Sequence, residues 1–579
     1  MRNFGPRIAV HRQSLKEERI RFWGSAGMMA AAIVLWLGCE AAKYRRAADE
    51  EVFDILKQRQ EQVLGTAASM EAKFGTRKPG DVNGTAIILN RFSGPTNRVL
   101  TLPDALEVAV QGNRTYQFNR EKLYLSALSL TGTRHRFALK FTKAETDLGV
   151  TRGTDKGLDG SSDASVTLSK LMKTGATLTA SLANDLVLYF NGKPKVPSLT
   201  LNLTQPLLRG AGADIATEVL TQAERDVVYE VRDFSHYQKT FALEVVNDYL
   251  DLLQQGDSMR LSYNNYTNRL FFQTEVNARV GGGLQAEFNA KQAQQSVYTA
   301  KISYISATNA FQNALDDFKQ KLSLPLGTDL RLDFNVLEQL DEIGLPPVAV
   351  SDEVGYYLAI TNRLDFLNVI DRFEDSKRKV KVARQDLLPS LSLIADASLK
   401  DEFYSSFQPE DFTATAKVRL NLPLDQLAER NAYRTSLINF ERQIRTLATQ
   451  LDKLRDGIRA DVRNLERQRQ NYSTQLDALK NAEEELLATR ERLRLGFAGV
   501  RTRDIITAQD GLLAAQQALS RAMVDYHKTR LKLLKDVGSL DTTHETFWLK
   551  TNPASAVLIG GNTPGASEDV VPPNIILGE

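Results

Sequence analysis

This chain is poor in the residues that carry most enzyme chemistry. It has five histidines in 579 residues, His11, His135, His236, His527 and His544, scattered and without an HExxH pair. No GxSxG elbow is present. The one phosphate-loop lookalike, RGAGAD at 209–214, lacks the Lys-Ser/Thr that would hold phosphate and metal. We therefore expect no enzyme, no cofactor and no metal site. Charge of either sign is not in excess, with 73 basic against 71 acidic side chains, so nothing favours nucleic acid or a solvated acidic tail. A single cysteine, Cys39, excludes an intrachain disulfide. Beyond the N-terminus no apolar run reaches the ~18–20 residues of a spanning helix.

Proline is missing too, and its absence is informative. None occurs between Pro206 and Pro325 or between Pro423 and Pro553. In the second interval Ile444, Leu447, Leu451, Leu454, Ile458, Val462 and Leu465 repeat every three or four residues, a seam for a partner helix. A continuous helix from Ala211 to Val280 would be ~100 Å long at ~1.5 Å per residue. No globular core needs such a rod.

The chain also repeats itself. Adding 215 takes Arg279 and Gly281 to Arg494 and Gly496, and Ala293, Ala300 and Ala307 to Ala508, Ala515 and Ala522. Upstream, LTQPL (203–207) matches LNLPL (420–424), and Asn113-Arg114 is echoed by Asn362-Arg363. Each unit reads helix, strand, strand, long helix, glycine break, long helix. Alternating segments give the strands: 136–143 and 198–204 in the first unit, 388–398 and 413–424 in the second. The Gly/Asp/Ser-rich 149–165 and the polar, aromatic 401–412 read as loops, and 175–190 is extra strand-like sequence without a counterpart. Thr101 is placed to cap a helix with Pro103 and Asp104 in its first turn.

The N-terminus has the order of an export signal. Arg2, Arg7, Arg12, Lys16, Arg19 and Arg21 precede FWGSAGMMAAAIVLWLG, which ends at Cys39. A cysteine directly after Gly38 resembles a bacterial lipoprotein signal, in which that cysteine becomes the acylated first mature residue. Trp36 departs from that pattern, standing where leucine is usual. An exported chain with four amphipathic strands cannot leave an open sheet in lipid. Three copies would close twelve strands, with the long helices continuing the tube below.

The strand-to-helix corners LTLNLTQPLLRGAG (200–213) and RLNLPLDQ (419–426), with ARQDLLPSLSL (383–393) and the alanine-rich helix pairs, resemble the TolC family of outer-membrane efflux proteins over roughly residues 100–545. The resemblance implies an α+β membrane protein. It implies a homotrimer with a long α-helical barrel, a transmembrane β-barrel of four strands per subunit, and a mixed belt at 322–350 and about 536–553. It implies a passive exit duct with a periplasmic gate. A periplasmic adaptor and an inner-membrane pump of RND, ABC or MFS type would be its partners, and outer-membrane lipid its surroundings. The division we expect is a signal at 1–38, an anchored helix and linker at 39–100, repeats at 101–335 and 336–545, and a tail without fixed structure at 546–579.

The same resemblance makes the glycine breaks the tips of two helical hairpins. Gly281, Gly282, Gly283, Gly496 and Gly499 would dock the adaptor, and as reversals they call for positive φ. Of the family's two gate aspartates one falls on Asp504 and the other on Thr507; the first copy has Asn289 at the matching place, with Glu287 nearby. The family's gate arginine falls on Val500, next to Arg501. Arg501 and Arg503 are therefore the expected partners of Asp504 across subunits. A periplasmic adaptor or coiled-coil structural protein is the alternative reading, but an adaptor should carry one hairpin, not two with two strand pairs.

Overall fold

The computed structural model describes residues 41–65, 82, 84–89, 98–152, 158–188, 198–348, 350–400, 412–497, 499–542 and 546–549. The expected signal, Cys39 and most of the C-terminal tail lie outside these residues. The chain is a bundle of long helices that feeds into one antiparallel sheet.

After helix α1 (Ala41–Leu64) and the short α2 (Gly84–Leu89), strand β1 (Arg98–Leu100) leads into α3 (Leu102–Gly112). Thr101 caps α3 through a reciprocal box with Asp104, as expected. Helix α4 (Arg114–His135) then rises to strands β2 (Lys140–Arg152), β3 (Leu158–Leu171), β4 (Thr177–Leu188) and β5 (Ser198–Pro206). A short α5 (Ala213–Ala216) turns the chain into α6 (Glu218–Gly281), which α7 (Glu287–Lys321) retraces. Strand β6 (Leu330–Leu332), paired parallel with β1, and α8 (Asn335–Ile343) close the first unit. The second unit runs α9 (Asp352–Asn362), α10 (Leu364–Gln385), β7 (Ser390–Lys400), β8 (Phe412–Asn421), α11 (Leu427–Arg494) and α12 (Thr502–Asp536).

The duplication is plain. Helices α3 and α4 and strand β2 recur 250 residues later as α9, α10 and β7. This offset corrects the Asn-Arg echo by one residue: Asn113 caps α4, and its counterpart capping α10 is Arg363. Helices α6 and α11 hold 64 and 68 residues, so each is a ~100 Å rod. The two rods differ in burial: α6 puts Val227, Val245, Tyr249 and Leu253 into the largest apolar cluster, whereas α11 buries little beyond Leu454, Ile458, Leu465 and Leu493. The α11 seam at Leu454 and Ile458 packs on Phe366 and Ile370 of α10, and the heptad alanines Ala293, Ala508, Ala515 and Ala522 are buried between hairpin helices. The largest apolar cluster lies at mid-height, where Leu100, Leu102 and Leu123 meet Tyr249, Leu253 and Phe318. Tyr249 donates from its hydroxyl to the Leu100 carbonyl at 2.9 Å there. The tail is ordered further than expected: Phe547 and Trp548 form a buried turn, and Arg530 donates to the Trp548 carbonyl. Helix α1 rests on the outside of the bundle, where Arg59 meets Glu224 at 3.3 Å and Tyr124 donates to Asp49 at 2.6 Å.

The sheet departs from the sequence reading. Among the described residues it has six strands in the order β2-β3-β4-β5-β7-β8, not four. The stretch 149–165, read as a loop, supplies the end of β2 and the start of β3, and the extra segment 175–190 contains β4. Register puts the apolar positions of neighbouring strands on one face. Val166 pairs with Leu182, Leu182 with Leu199, Leu199 with Leu399, and Leu399 with Phe412. These side chains are not covered: Phe141 is 74% exposed, Phe412 57% and Val418 65%. The other face is polar. Thr167 and Ser181 share a hydrogen bond of 3.1 Å, and Lys417 pairs with Asp396 at 3.0 Å. Among the described residues no helix is long and apolar enough to cross a membrane.

Candidate functional site

The distal ends of the two hairpins are built alike. Helix α6 ends where Leu284 N–H reaches the Arg279 carbonyl and Gly283 N–H reaches that of Val280. Helix α11 ends where Phe497 N–H reaches Arg492 and Gly496 N–H reaches Leu493. Both are Schellman motifs, which need a left-handed residue just past the helix. Gly283 (φ +68°) and Gly496 (φ +74°) supply it, and Gly499 (φ +116°) serves the following turn. Gly281 and Gly282 do not: Gly281 is the last residue of α6, and Gly282 has φ −80°. The equivalence is thus Gly283 with Gly496, an offset of 213, while α7 and α12 start 215 apart. The second tip loop is longer by those two residues, and they accommodate Gly499.

Asp504 does not meet either arginine side chain within the chain. It is the third residue of α12, and its Oδ2 accepts the backbone N–H of Arg501 at 2.8 Å. That is a capping contact, reinforced by the positive end of the helix. Asn289 occupies the same position in α7. Thr507 donates its hydroxyl to the Arg503 carbonyl at 3.0 Å, one turn back on its own helix. Arg501, Arg503 and Thr507 are exposed, and Asp504 is half-buried. Charges and glycines are therefore gathered at one end, as expected. An Arg–Asp504 side-chain pair is not formed within the chain.

Sequence reasoning missed the contacts that bind the two hairpins together. Arg269 of α6 is 1% exposed and reaches α12, donating from Nη2 to Asp510 Oδ1 at 2.6 Å and to the Ile506 carbonyl at 2.8 Å. Its Nε and Nη1 find no acceptor among the described residues. Burial pushes the guanidinium pKa down, and Asp510 opposes this. Ten residues further along α6, Arg279 donates from Nη1 to the Leu493 carbonyl at the end of α11, at 3.0 Å. Between these pins Phe272 and Val276 of α6, Ala293 of α7, Leu493 of α11 and Ile505 of α12 form one buried cluster. All four hairpin helices meet there. Beside it lies an open cavity of about 490 Å³ lined by Asn265, Arg269, Phe288, Gln292, Ser296 and Asp510. The tips themselves present bare apolar side chains at Leu284, Phe288, Leu495 and Phe497.

Nearer the sheet a second polar network joins α6 to α10. Tyr229 donates to Asp375 at 2.6 Å, Arg225 pairs with Asp375 at 2.7 Å, and Arg232 pairs with Asp371. Burial raises the Asp375 pKa, but the Tyr229 hydroxyl and the Arg225 charge outweigh it and hold the carboxyl below its usual range. Among the described residues no cluster of three or more His, Cys, Asp or Glu side chains could hold a metal.

Residues 355–539 match the family described as outer membrane efflux protein. No curated protein matches the chain. Solved structures do match in fold. The Campylobacter jejuni CmeC outer membrane channel aligns at 14% identity over 79% of this chain and 90% of its own, with a TM-score of 0.53. The outer membrane protein VceC of Vibrio cholerae aligns at 13% identity over 76% and 96%, with a TM-score of 0.53. The open-state Neisseria gonorrhoeae MtrE outer membrane channel aligns at 12% identity over 76% and 88%, again with a TM-score of 0.53.

Proposed function

From an outer membrane efflux protein domain in the second repeat, within a chain that has the fold of outer-membrane channels, we propose that three copies form an exit duct of a tripartite efflux system. The duct sits in the outer membrane of a Gram-negative-type bacterium. Its helices project into the periplasm, and Cys39 carries its lipid anchor. It is passive, and an inner-membrane pump supplies the energy. A periplasmic adaptor docks on the tips around Gly283, Gly496 and Gly499.

One observation carries this reading. A sheet with an exposed apolar face and a hydrogen-bonded polar face is joined directly to ~100 Å helices. In water such a face would aggregate. In lipid it is the outside of a barrel, and the polar face lines the lumen. The tips supply the gate: Asp504 from three subunits converges at the narrow end, with Arg501 or Arg503 of neighbours as partners.

Purification of the full chain in detergent tests the proposal. The expected product is a trimer that resists SDS until heated and opens channels in planar bilayers. A water-soluble monomer or dimer without conductance would favour the adaptor or coiled-coil reading and end this one.

A further inference from the structure

The six-stranded sheet has two open edges. Among the described residues strand β2 is bonded only to β3, and β8 only to β7. Within lipid, an unpaired strand edge costs several kcal/mol per group, so both edges need partners. Every neighbouring pair from β2 to β8 is antiparallel. Six is even, so β8 of one copy meets β2 of the next antiparallel as well, and the ring closes without an odd strand.

Hairpin β3–β4 has no counterpart in the second repeat, so its place decides the size of that ring. It lies inside the sheet, between β2 and β5. A plug or an external flap would leave β2 bonded to β5 directly. Its residues keep the sheet's polarity: Val166, Leu168, Leu178, Ala180 and Leu182 fall in register with Leu199, Leu201 and Leu203 on the apolar face. Ser165, Thr167, Ser169, Thr179 and Ser181 fall on the polar one. The turn between the two strands reaches the strand-to-helix corner, where a Cβ on Gly175 would come within 2.8 Å of the Gly210 carbonyl. The hairpin therefore runs the full height of the wall.

We propose that this hairpin is a membrane-spanning part of the wall, so that three copies of six strands close an eighteen-stranded barrel. The proposal rests on the membrane reading above and deepens it. Dimensions support it. Six strands spaced ~4.8 Å and tilted ~40° cover an arc of ~38 Å. Below them four neighbouring helices, α4, α6, α10 and α11, meet the sheet. At ~9–10 Å apart those helices cover ~36–40 Å. Sheet and helical wall thus match in circumference, and the tube passes the corner without narrowing. Closed from three copies, the barrel is ~36 Å across between backbones, against ~24 Å for twelve strands, so the exit mouth is ~1.5 times wider.

The test uses the purified full-length trimer in vesicles of brominated phosphatidylcholine. Tryptophan is placed at Val166→Trp, Leu182→Trp and, as reference, Phe412→Trp on β8, which lies level with both in the strand register, with the unsubstituted protein as background. Quenching at positions 166 and 182 within twofold of that at 412 is expected. Quenching at 412 alone would overturn the eighteen-strand wall while leaving a membrane barrel. Quenching at none of the three would overturn the membrane reading itself. An electron cryo-microscopy map of the unsubstituted trimer in nanodiscs supplies a check free of folding defects: eighteen strands in section are expected, and twelve would refute the proposal.

Discussion

The pin between Arg269 and Asp510 makes a prediction in which the sign of the difference matters more than its size. The two partners are not equivalent. The Arg269 side chain is 2% exposed and that of Asp510 is 64% exposed. Asp510→Ala strips the carboxylate from a buried guanidinium whose Nε and Nη1 already lack acceptors. Only the Ile506 carbonyl is left to it. Breaking a buried pair in this way costs ~3–5 kcal/mol, and the exposure of Asp510 reduces that to ~2–4 kcal/mol. Arg269→Met removes the charge but keeps an apolar stem of similar length. Asp510 is then left in water at little cost, and the loss is ~1–2 kcal/mol. The double variant has no stranded charge and should cost no more than Arg269→Met alone. Hydrogen exchange of the amides between residues 486 and 506 reads the local opening energy directly. The expected order is Asp510→Ala above Arg269→Met, with the double variant returning to the latter and a coupling of ~2–4 kcal/mol, equal to the cost of Asp510→Ala alone. Equal costs, or a double variant equal to the sum of the singles, would show that the buried arginine does not depend on its partner.

Three further outcomes follow from the same coordinates. Gly283→Ala and Gly496→Ala force a Cβ into the left-handed region and should each destabilise by ~1–2 kcal/mol, whereas Gly281→Ala, helical with open space around it, should be neutral or slightly stabilising; thermal melts separate them. Asp504→Ala should weaken the start of α12 by ~0.5–2 kcal/mol through the lost cap and, if the gate ring forms, change cation block of the reconstituted channel. Asp504→Asn should keep most of the stability yet reproduce the change in block, and unchanged block in both would remove the ring. Burial, helped by the nearby Arg530 charge, pushes the His527 pKa down to about 4, below its value in the unfolded chain. The unfolded state therefore takes up the proton first, so stability is full above ~6.5 and declines as pH falls toward 4, by ~2–3 kcal/mol. His527→Gln should flatten that slope between pH 7 and 5, and a slope of unchanged steepness would exclude His527 as its source.

The helical half of the architecture was legible because its signals are local. Absence of proline, the 3/4 stripe ending at Leu465 and the heptad alanines all act within a few turns; the stripe packs from Leu447 to Leu465 while Ile444 at its start stays exposed, and Ala293, Ala508, Ala515 and Ala522 are buried. The glycine breaks were legible as reversals but not in register. Only the hydrogen bonds show that Gly283, not Gly281, does the work of Gly496. Of the candidate gate residues, the position of Asp504 was readable and its immediate partner was not. Its carboxylate serves the Arg501 backbone, and side-chain identity alone does not reveal that.

The sequence by itself determined two rods, two reversals and a duplicated plan, because helix periodicity is written in neighbouring residues. Tertiary structure alone decided the strand count and the cross-hairpin pins. A strand paired on both sides has its backbone satisfied by its neighbours, so the Gly, Ser and Asp of 160–165 in β3 are tolerated where propensity reads a loop. Arg269 and Asp510 lie 241 residues apart, and nothing in either neighbourhood marks the one as the other's partner. Their meeting is a property of how the two hairpins pack, and it exists only once both are folded.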